Sequence, residues 1–205
     1  MAKINKIIQP QGYEIIRDEL GAFIKDELFN QVAISYDEEL DADVYVERFI
    51  PIGNDEVSNN SIIVISLAAG KFDNFKQLNH DGNYLFNIDF YTNAKSTNDE
   101  TGDVLSTFKL HKLMGVVKSI IMNPIYDTLN FNPPFVMGRY VEEMNIEDPK
   151  QKEEATNVIR GRLTLNARCV EKLDEIDLTT LKISNTGVKI SNTDKGYLYE
   201  INADA

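Results

Sequence analysis

The stretch Asn83–Lys95, NYLFNIDFYTNAK, constrains the fold more than any other part of the chain. Its aromatic and aliphatic side chains recur at every second position from Tyr84 to Phe90, and the polar residues Asn87 and Asp89 lie between them. This alternation is typical of a β-strand that buries one of its two faces. The sequence therefore predicts a sheet with one apolar face at this point.

A second strand is predicted at SIIVISLAAG, residues 61–70, where β-branched residues form an almost continuous apolar run. Such a run is typical of a strand that is buried on both faces. Ile62–Leu67 and Tyr84–Tyr91 are therefore expected to be neighbours in one sheet, joined by the connector KFDNFKQLNHDGN. Within that connector, His80–Asn83 is predicted to form a tight turn.

Two amphipathic helices are predicted from apolar residues that recur at steps of three and four. The first covers about Tyr13–Phe29, and the second covers about Thr101–Met122 and ends before Pro124. Proline stops the second helix because it lacks the N–H group that the helical ladder requires. The apolar stripe of the second helix is broad enough to pack flat on a sheet, and it comprises Leu105, Phe108, Leu110, Leu113, Val116, Val117 and Ile120.

Three further extended segments complete the main domain. VYVERFIPIG is predicted to be extended, with Pro51 at the edge or the end of its strand. The polar loop PIGNDEVSNN that follows is a candidate β-hairpin arm between two strands. FVMGRYVEEMNI and ATNVIRGRLTLNARCVE are predicted strands separated by a charged loop.

These elements predict an α+β fold, with a mixed, mainly antiparallel sheet covered on one face by a long helix plus an N-terminal helix. This domain is expected to span residues 1–172. Residues 173–205 differ in character, because KISNT occurs at 182–186 and again at 189–193 with turn residues between the copies. Two copies are too few for a solenoid, so a small C-terminal β-meander is predicted.

Length and composition indicate a soluble globular protein of the cytoplasm. A chain of 205 residues can bury one sizeable core. No apolar run approaches the roughly 20 residues of a membrane-spanning helix, and the N-terminus lacks the pattern of a signal peptide. Cys169 is the only cysteine, which fits a reducing compartment and a small buried side chain.

The charge balance argues against a general nucleic-acid-binding surface. The chain carries 33 acidic against 21 basic residues, a formal charge of −12, whereas phosphate contact depends on Lys and Arg. RGRLTLNAR is the only arginine-dense stretch, and Arg160 and Arg162 would share one face of a strand. They form either a local basic contact patch or salt bridges to the many acids.

No catalytic, cofactor-binding or metal-binding residue is predicted. His80 and His111 are the only histidines, and they lack the spacing of a zinc-protease motif. The glycine and serine signatures of serine hydrolases, P-loop enzymes and dinucleotide-binding proteins are missing from the sequence. The acids of NDETGD, residues 98–103, fit a solvated helix N-terminus better than a calcium loop.

The order of elements carries a resemblance to a known family. Helix, strand, long loop, two strands, broad-faced helix and two strands, with YLFNIDFYTNAKSTNDETGDVLSTFKLHKLMGVVKSIIMNP at residues 84–124, resembles the tail-terminator and tail-completion proteins of tailed bacteriophages. The likeness covers roughly residues 10–172, and residues 173–205 lie outside the usual compact form.

The resemblance implies a non-enzymatic virion protein that is made in the host cytoplasm and needs no cofactor. Family members form a ring, usually a hexamer, that caps the tail tube and joins the tail to the head connector. The expected partners are further copies of the chain, the major tail tube protein and a head-completion or connector protein. DNA would pass through the acidic channel without specific binding, because like charges repel phosphate.

Three parts of the chain are candidates for contacts between subunits or with the tube. The first two are the loop around Ile52 and Val57 and the connector with its apolar residues Phe72, Phe75 and Leu78; the arginine pair Arg160 and Arg162 is the third. The three apolar connector residues could instead simply cap the local core. The C-terminal meander is a further candidate, since short strands gain stability by docking on a neighbour.

Two other functions remain open at this stage. One is a different ring component of a phage neck or baseplate. The other is a small α+β enzyme or ligand-binding protein that uses its acidic loops to hold a cation.

Overall fold

The computed structural model describes residues 12–48, 52, 57, 60–72, 79–129, 131, 135–147, 158–172, 183–188 and 197–202. The helices and strands are α1 Gly12–Ser35, β1 Ala42–Val46, β2 Ser61–Phe72, β3 Asn79–Thr92, α2 Gly102–Ile121, β4 Val136–Glu147, β5 Ile159–Lys172, β6 Ile183–Val188 and β7 Tyr197–Asn202. The contacts divide the chain into two compact units, Met1–Glu171 and Lys172–Ala205.

The first unit is an α+β domain built on a five-stranded sheet, as predicted. The strand order is β1-β2-β3-β5-β4. β1 and β2 run parallel, whereas β2–β3 and β4–β5 pair in the antiparallel sense. β3 and β5 are also antiparallel, because Gly82 contacts Cys169 while Asp89, further along β3, contacts Arg162, which lies earlier in β5.

The two helices pack on one face of this sheet, which we call the helix face. Their buried residues form one core with alternate residues of the strands, and Phe86 and Phe90 of β3 are fully buried there. The sheet residues of the helix face are Ile63, Ile65, Tyr84, Phe86, Ile88, Phe90, Ile159, Leu163, Leu165, Ala167 and Cys169. The half-buried strand predicted at Tyr84–Phe90 is thus confirmed, and Cys169 is buried as expected.

The opposite face, which we call the outer face, carries the remaining strand residues. Ile62 and Val64 form a small separate cluster there with Val57, which explains why β2 is apolar on both sides. Asp89 and the arginines of β5 lie on the same face, because they alternate with the helix-face residues of their strands. β2 and β3 are neighbours, as predicted.

The predicted helices are confirmed, but two details differ. α1 continues to Ser35, beyond the predicted end at Phe29. The apolar stripe could not predict this extension, because the apolar residues Phe29 and Ile34 near the end of the helix are exposed. In α2 the buried stripe includes Ser106 and Met114. Phe108, predicted to belong to the stripe, is 61% exposed and points away from the sheet.

One prediction about a connection is wrong, and another lies largely outside the described residues. The loop PIGNDEVSNN, predicted to be a β-hairpin arm, has only residues 52, 57 and 60 among those described, and the strands on either side of it, β1 and β2, run parallel. His80–Asn83 is not a tight turn, because β3 already begins at Asn79 and Gly82 pairs with Phe72. β2 and β3 therefore form one long hairpin.

The second unit contains an antiparallel pair of strands. β6 pairs with β7, with Ile183 opposite Asn202 at one end and Val188 opposite Tyr197 at the other. The strands of the predicted meander are present in this part of the chain.

Candidate interaction surfaces

A charged network occupies the outer face between β3, β5 and β4. The carboxylate of Asp89 is 9% exposed and accepts hydrogen bonds from Arg162 Nε at 2.6 Å and Arg162 Nη2 at 2.9 Å. Arg160 donates to Asp89 and to Glu147, at 3.1 Å in each case. The guanidinium of Arg160 also lies 5.5 Å from the ring centre of Tyr91. One carboxylate thus holds two strands together through two arginines.

Hydrogen bonding and burial shift the pKa values of different members of this network. The hydrogen bonds to Asp89 raise the pKa of Arg162, so this side chain stays charged. Burial raises the pKa of the Tyr91 hydroxyl. For Arg160 and Arg162 the salt-bridge alternative is confirmed, because their guanidinium groups bind acids of the same chain.

The loop candidates Ile52 and Val57 lie against the outer face. Val57 is 2% exposed and packs with Ile62 and Val64, and Ile52 is half-buried against the same cluster. In the single chain both side chains therefore cover the apolar part of the outer face. Their part in subunit contacts remains a prediction.

Phe72 lies at the far end of the β2–β3 hairpin and is 55% exposed. Its ring stands edge-on to Tyr84 with the centroids 5.8 Å apart. A Cβ atom on Gly82 would come within 3.1 Å of that ring, so any larger residue would require the Phe72 ring to shift. Phe72 thus caps the core with one part of its ring and presents the rest to solvent. Phe75 and Leu78 lie outside the described residues.

The two outermost strands of the sheet are β1 and β4. β1 has only five residues, whereas β4 has twelve. β4 also carries four exposed large apolar side chains, Met137, Tyr140, Met144 and Ile146. This surface was not predicted from the sequence. A signal was present, because the apolar residues of FVMGRYVEEMNI do not keep to alternate positions, as they would in a strand with one buried face.

β4 is fixed to the helix layer by a buried arginine. The side chain of Arg139 is 4% exposed and donates to Ile121 O and Asn123 O at 2.6 Å in both cases. These carbonyl groups lie at the C-terminal end of α2, where helical carbonyls lack intrahelical partners. Burial lowers the pKa of Arg139. The anchored strand presents its outer edge in a fixed position.

An open groove of about 610 Å³ separates the outward sides of α1 and α2. Tyr126 donates to Glu27 at 2.5 Å across it, and this hydrogen bond raises the pKa of the tyrosine to about 12. His111 lines the same groove. Lys112 pairs with Asp37 and Glu39 on its rim, at 2.7 Å for Glu39.

Within the described residues, no three His, Cys, Asp or Glu side chains come together as a metal site would require. The described helices include none that is long and apolar enough to cross a membrane.

No model of a known protein family matches the chain, and no curated protein matches it either.

Proposed function

We propose that this protein is a non-enzymatic subunit of a ring that caps the tail tube of a tailed phage and joins the tail to the head connector. The proposal rests on the order of elements and on the surfaces described above. A mixed sheet with both helices on one face leaves its other face and its long hairpin available for contacts with other subunits.

The observation that carries the proposal is the β2–β3 hairpin. It continues past the buried core to Phe72, and more than half of this aromatic side chain remains exposed. Aromatic side chains in such positions are favoured in protein interfaces, because they bury a large area at small entropic cost. We expect Phe72 to lie in the contact with the next subunit or with the tube.

The charge of the chain supports the same function. A formal charge of −12 spread over ring subunits would line a channel with acids and let DNA pass without adhesion. Arg160 and Arg162 do not oppose this, since Asp89 and Glu147 compensate them.

The test is the oligomeric state of the purified protein, alone and with a tail tube protein, by size-exclusion chromatography with light scattering and by electron microscopy. We expect a closed ring in one of the two samples. Phe72→Glu should abolish the ring, because it places a charge in an apolar contact. Phe29→Glu is the matched control, since Phe29 is 78% exposed on α1.

A chain that stays monomeric in both samples contradicts the proposal. If Phe72→Glu forms rings as well as the unaltered chain does, the protein is a ring subunit but the β2–β3 hairpin does not contribute to its contacts. Circular dichroism of each variant separates a lost contact from a lost fold.

A further inference from the structure

We propose that the end of β4, Glu143–Glu147, is a docking edge for an extended segment of a partner protein in which apolar residues alternate with Lys or Arg. This inference concerns the edge of the sheet and does not depend on the ring.

The backbone of Glu143–Glu147 is open to a further strand. β4 pairs with β5 on one side and is the outermost strand among those that the structure describes. The pairing with β5 is irregular between Val136 and Gly138 and again between Val141 and Glu143, but regular from Glu143 onward. On its other side, the described residues of this unit provide no strand to pair with the N–H and C=O groups of alternate residues, and these groups are a template for an added strand. The regular stretch is where such a strand fits.

The side chains of this stretch form two rows of opposite character. Met144 and Ile146 pair with Leu163 and Gly161, so they project on the helix face, where they are 54% and 41% exposed. Glu143 and Glu147 project on the outer face and are exposed. A strand added beside β4 would meet an apolar row on one face and an acidic row on the other.

The neighbour on the paired side shows which side chains suit these rows. β5 places Arg160 on the outer face, where it binds Glu147 at 3.1 Å, and Leu163 on the helix face beside Met144. A strand on the free side meets the same two rows, so it needs basic residues on one face and apolar residues on the other. Cross-strand pairs of opposite charge and of apolar residues both stabilise a sheet.

The acids also disfavour an edge strand of a second copy as the occupant. If β4 of a second copy paired antiparallel about Asn145, Glu143 of each copy would face Glu147 of the other. β1 offers exposed Asp43 on its own edge. Like charges directly opposite each other destabilise strand pairing. Charge complementarity therefore selects a basic partner.

The experiment uses the full chain and two peptides of equal charge at about 150 mM salt, where exposed charges more than about 8 Å apart are screened. The first peptide, Lys-Val-Lys-Ile-Lys-Val-Lys, can add to an edge as a strand. In the second, proline replaces the apolar residues, which removes the N–H groups that pairing requires. Calorimetry measures the affinity, and hydrogen exchange of the β4 amides locates the site.

We expect the first peptide to bind and to slow exchange in Glu143–Glu147, and the second to bind far more weakly. Glu143→Lys should lower the affinity for the first peptide about tenfold, because a favourable pair becomes a repulsive one. Met144→Lys should lower it as well, through the apolar row. Glu38→Lys makes the same charge change at an exposed site away from β4 and should leave the affinity unchanged.

Three outcomes would overturn the inference. These are equal binding of the two peptides, equal loss of affinity in Glu143→Lys and Glu38→Lys, and no binding with unchanged β4 exchange. The last result would mean that the acids only keep the edge from pairing with other chains. None of the three bears on ring formation, which light scattering reports separately.

Discussion

The helix face and the outer face of the same sheet are stabilised in different ways. On the helix face, large apolar side chains such as Phe86 are fully buried under two helices. On the outer face, the centre of the sheet is occupied by Asp89 and two arginines, and the apolar packing among the described residues is the cluster around Val57. Burial of volume should therefore determine stability on one face, and charge pairing on the other.

The largest expected effect is on the helix face. Phe86→Ala should lower the free energy of unfolding by about 3 to 5 kcal/mol, because it leaves a cavity in a closely packed core. Urea denaturation monitored by circular dichroism measures it. Phe29→Ala, the same change at an exposed position of α1, should have an effect near zero. Similar losses in both variants would contradict the assigned core.

The charged network should give the next largest effect. Asp89→Ala should lower the free energy of unfolding by about 2 to 3 kcal/mol, since it leaves two arginines without their shared carboxylate. This loss of stability is smaller than for a fully buried ion pair, because the Arg160 and Arg162 side chains are 32% and 31% exposed.

Glu147→Ala is the control for this network. It removes a carboxylate of the same group that is 50% exposed, so the loss should stay below about 1 kcal/mol. Equal losses in Asp89→Ala and Glu147→Ala would show that burial of Asp89 contributes nothing.

Two glycine-to-alanine changes near α2 should have smaller effects on stability, and of opposite sign, because one glycine is closely packed and the other faces open space. Gly161→Ala on the helix face would place a Cβ 2.5 Å from Met114 Sδ, and the methionine must move, at a cost of about 1 kcal/mol. Gly115→Ala, whose new methyl group would meet no atom of another described element within 4 Å, should stabilise the helix by up to about 1 kcal/mol. Thermal unfolding of both variants gives the signs, and a stabilising Gly161→Ala would contradict the packing.

The smallest effect lies at the surface. The hydrogen bond from Lys112 lowers the pKa of Asp37 below 3.8. A depressed pKa adds stability above the unfolded value, and that stability is lost as the pH falls through the folded value. In Lys112→Ala the pKa of Asp37 should return toward 3.8 in a carbon-13 NMR titration, whereas Lys118→Ala should leave it unchanged. If the titration curve of Asp37 is the same in Lys112→Ala as in the unaltered protein, the hydrogen bond between the two side chains does not form in solution.

The sequence predicted the helices and strands better than the pairing of the strands with each other. The buried run of β2, the alternation of β3 and the stripe of α2 are local patterns, and each produced the expected element. The parallel pairing of β1 with β2 could not be predicted, because hydrophobic pattern does not encode the direction of a neighbouring strand. Gly82 was interpreted as a turn residue, but it serves the close approach of the Phe72 ring.

The surfaces were the hardest part to predict. Arg160 and Arg162 gave two alternatives, because Asp89 lies 71 and 73 positions away in the chain and only the sheet order brings it close. The exposure of Met144 and Ile146 depends on β4 being outermost, which no local pattern reveals.

The position of β5 between β3 and β4 has a consequence for biosynthesis. β4 leaves the ribosome before β5, yet it reaches the rest of the sheet only through β5. Until translation has passed Lys172, β4 has no strand partner of its own, and its apolar residues are exposed to chaperones and to other nascent chains. At the usual rates of elongation this interval lasts on the order of a few seconds.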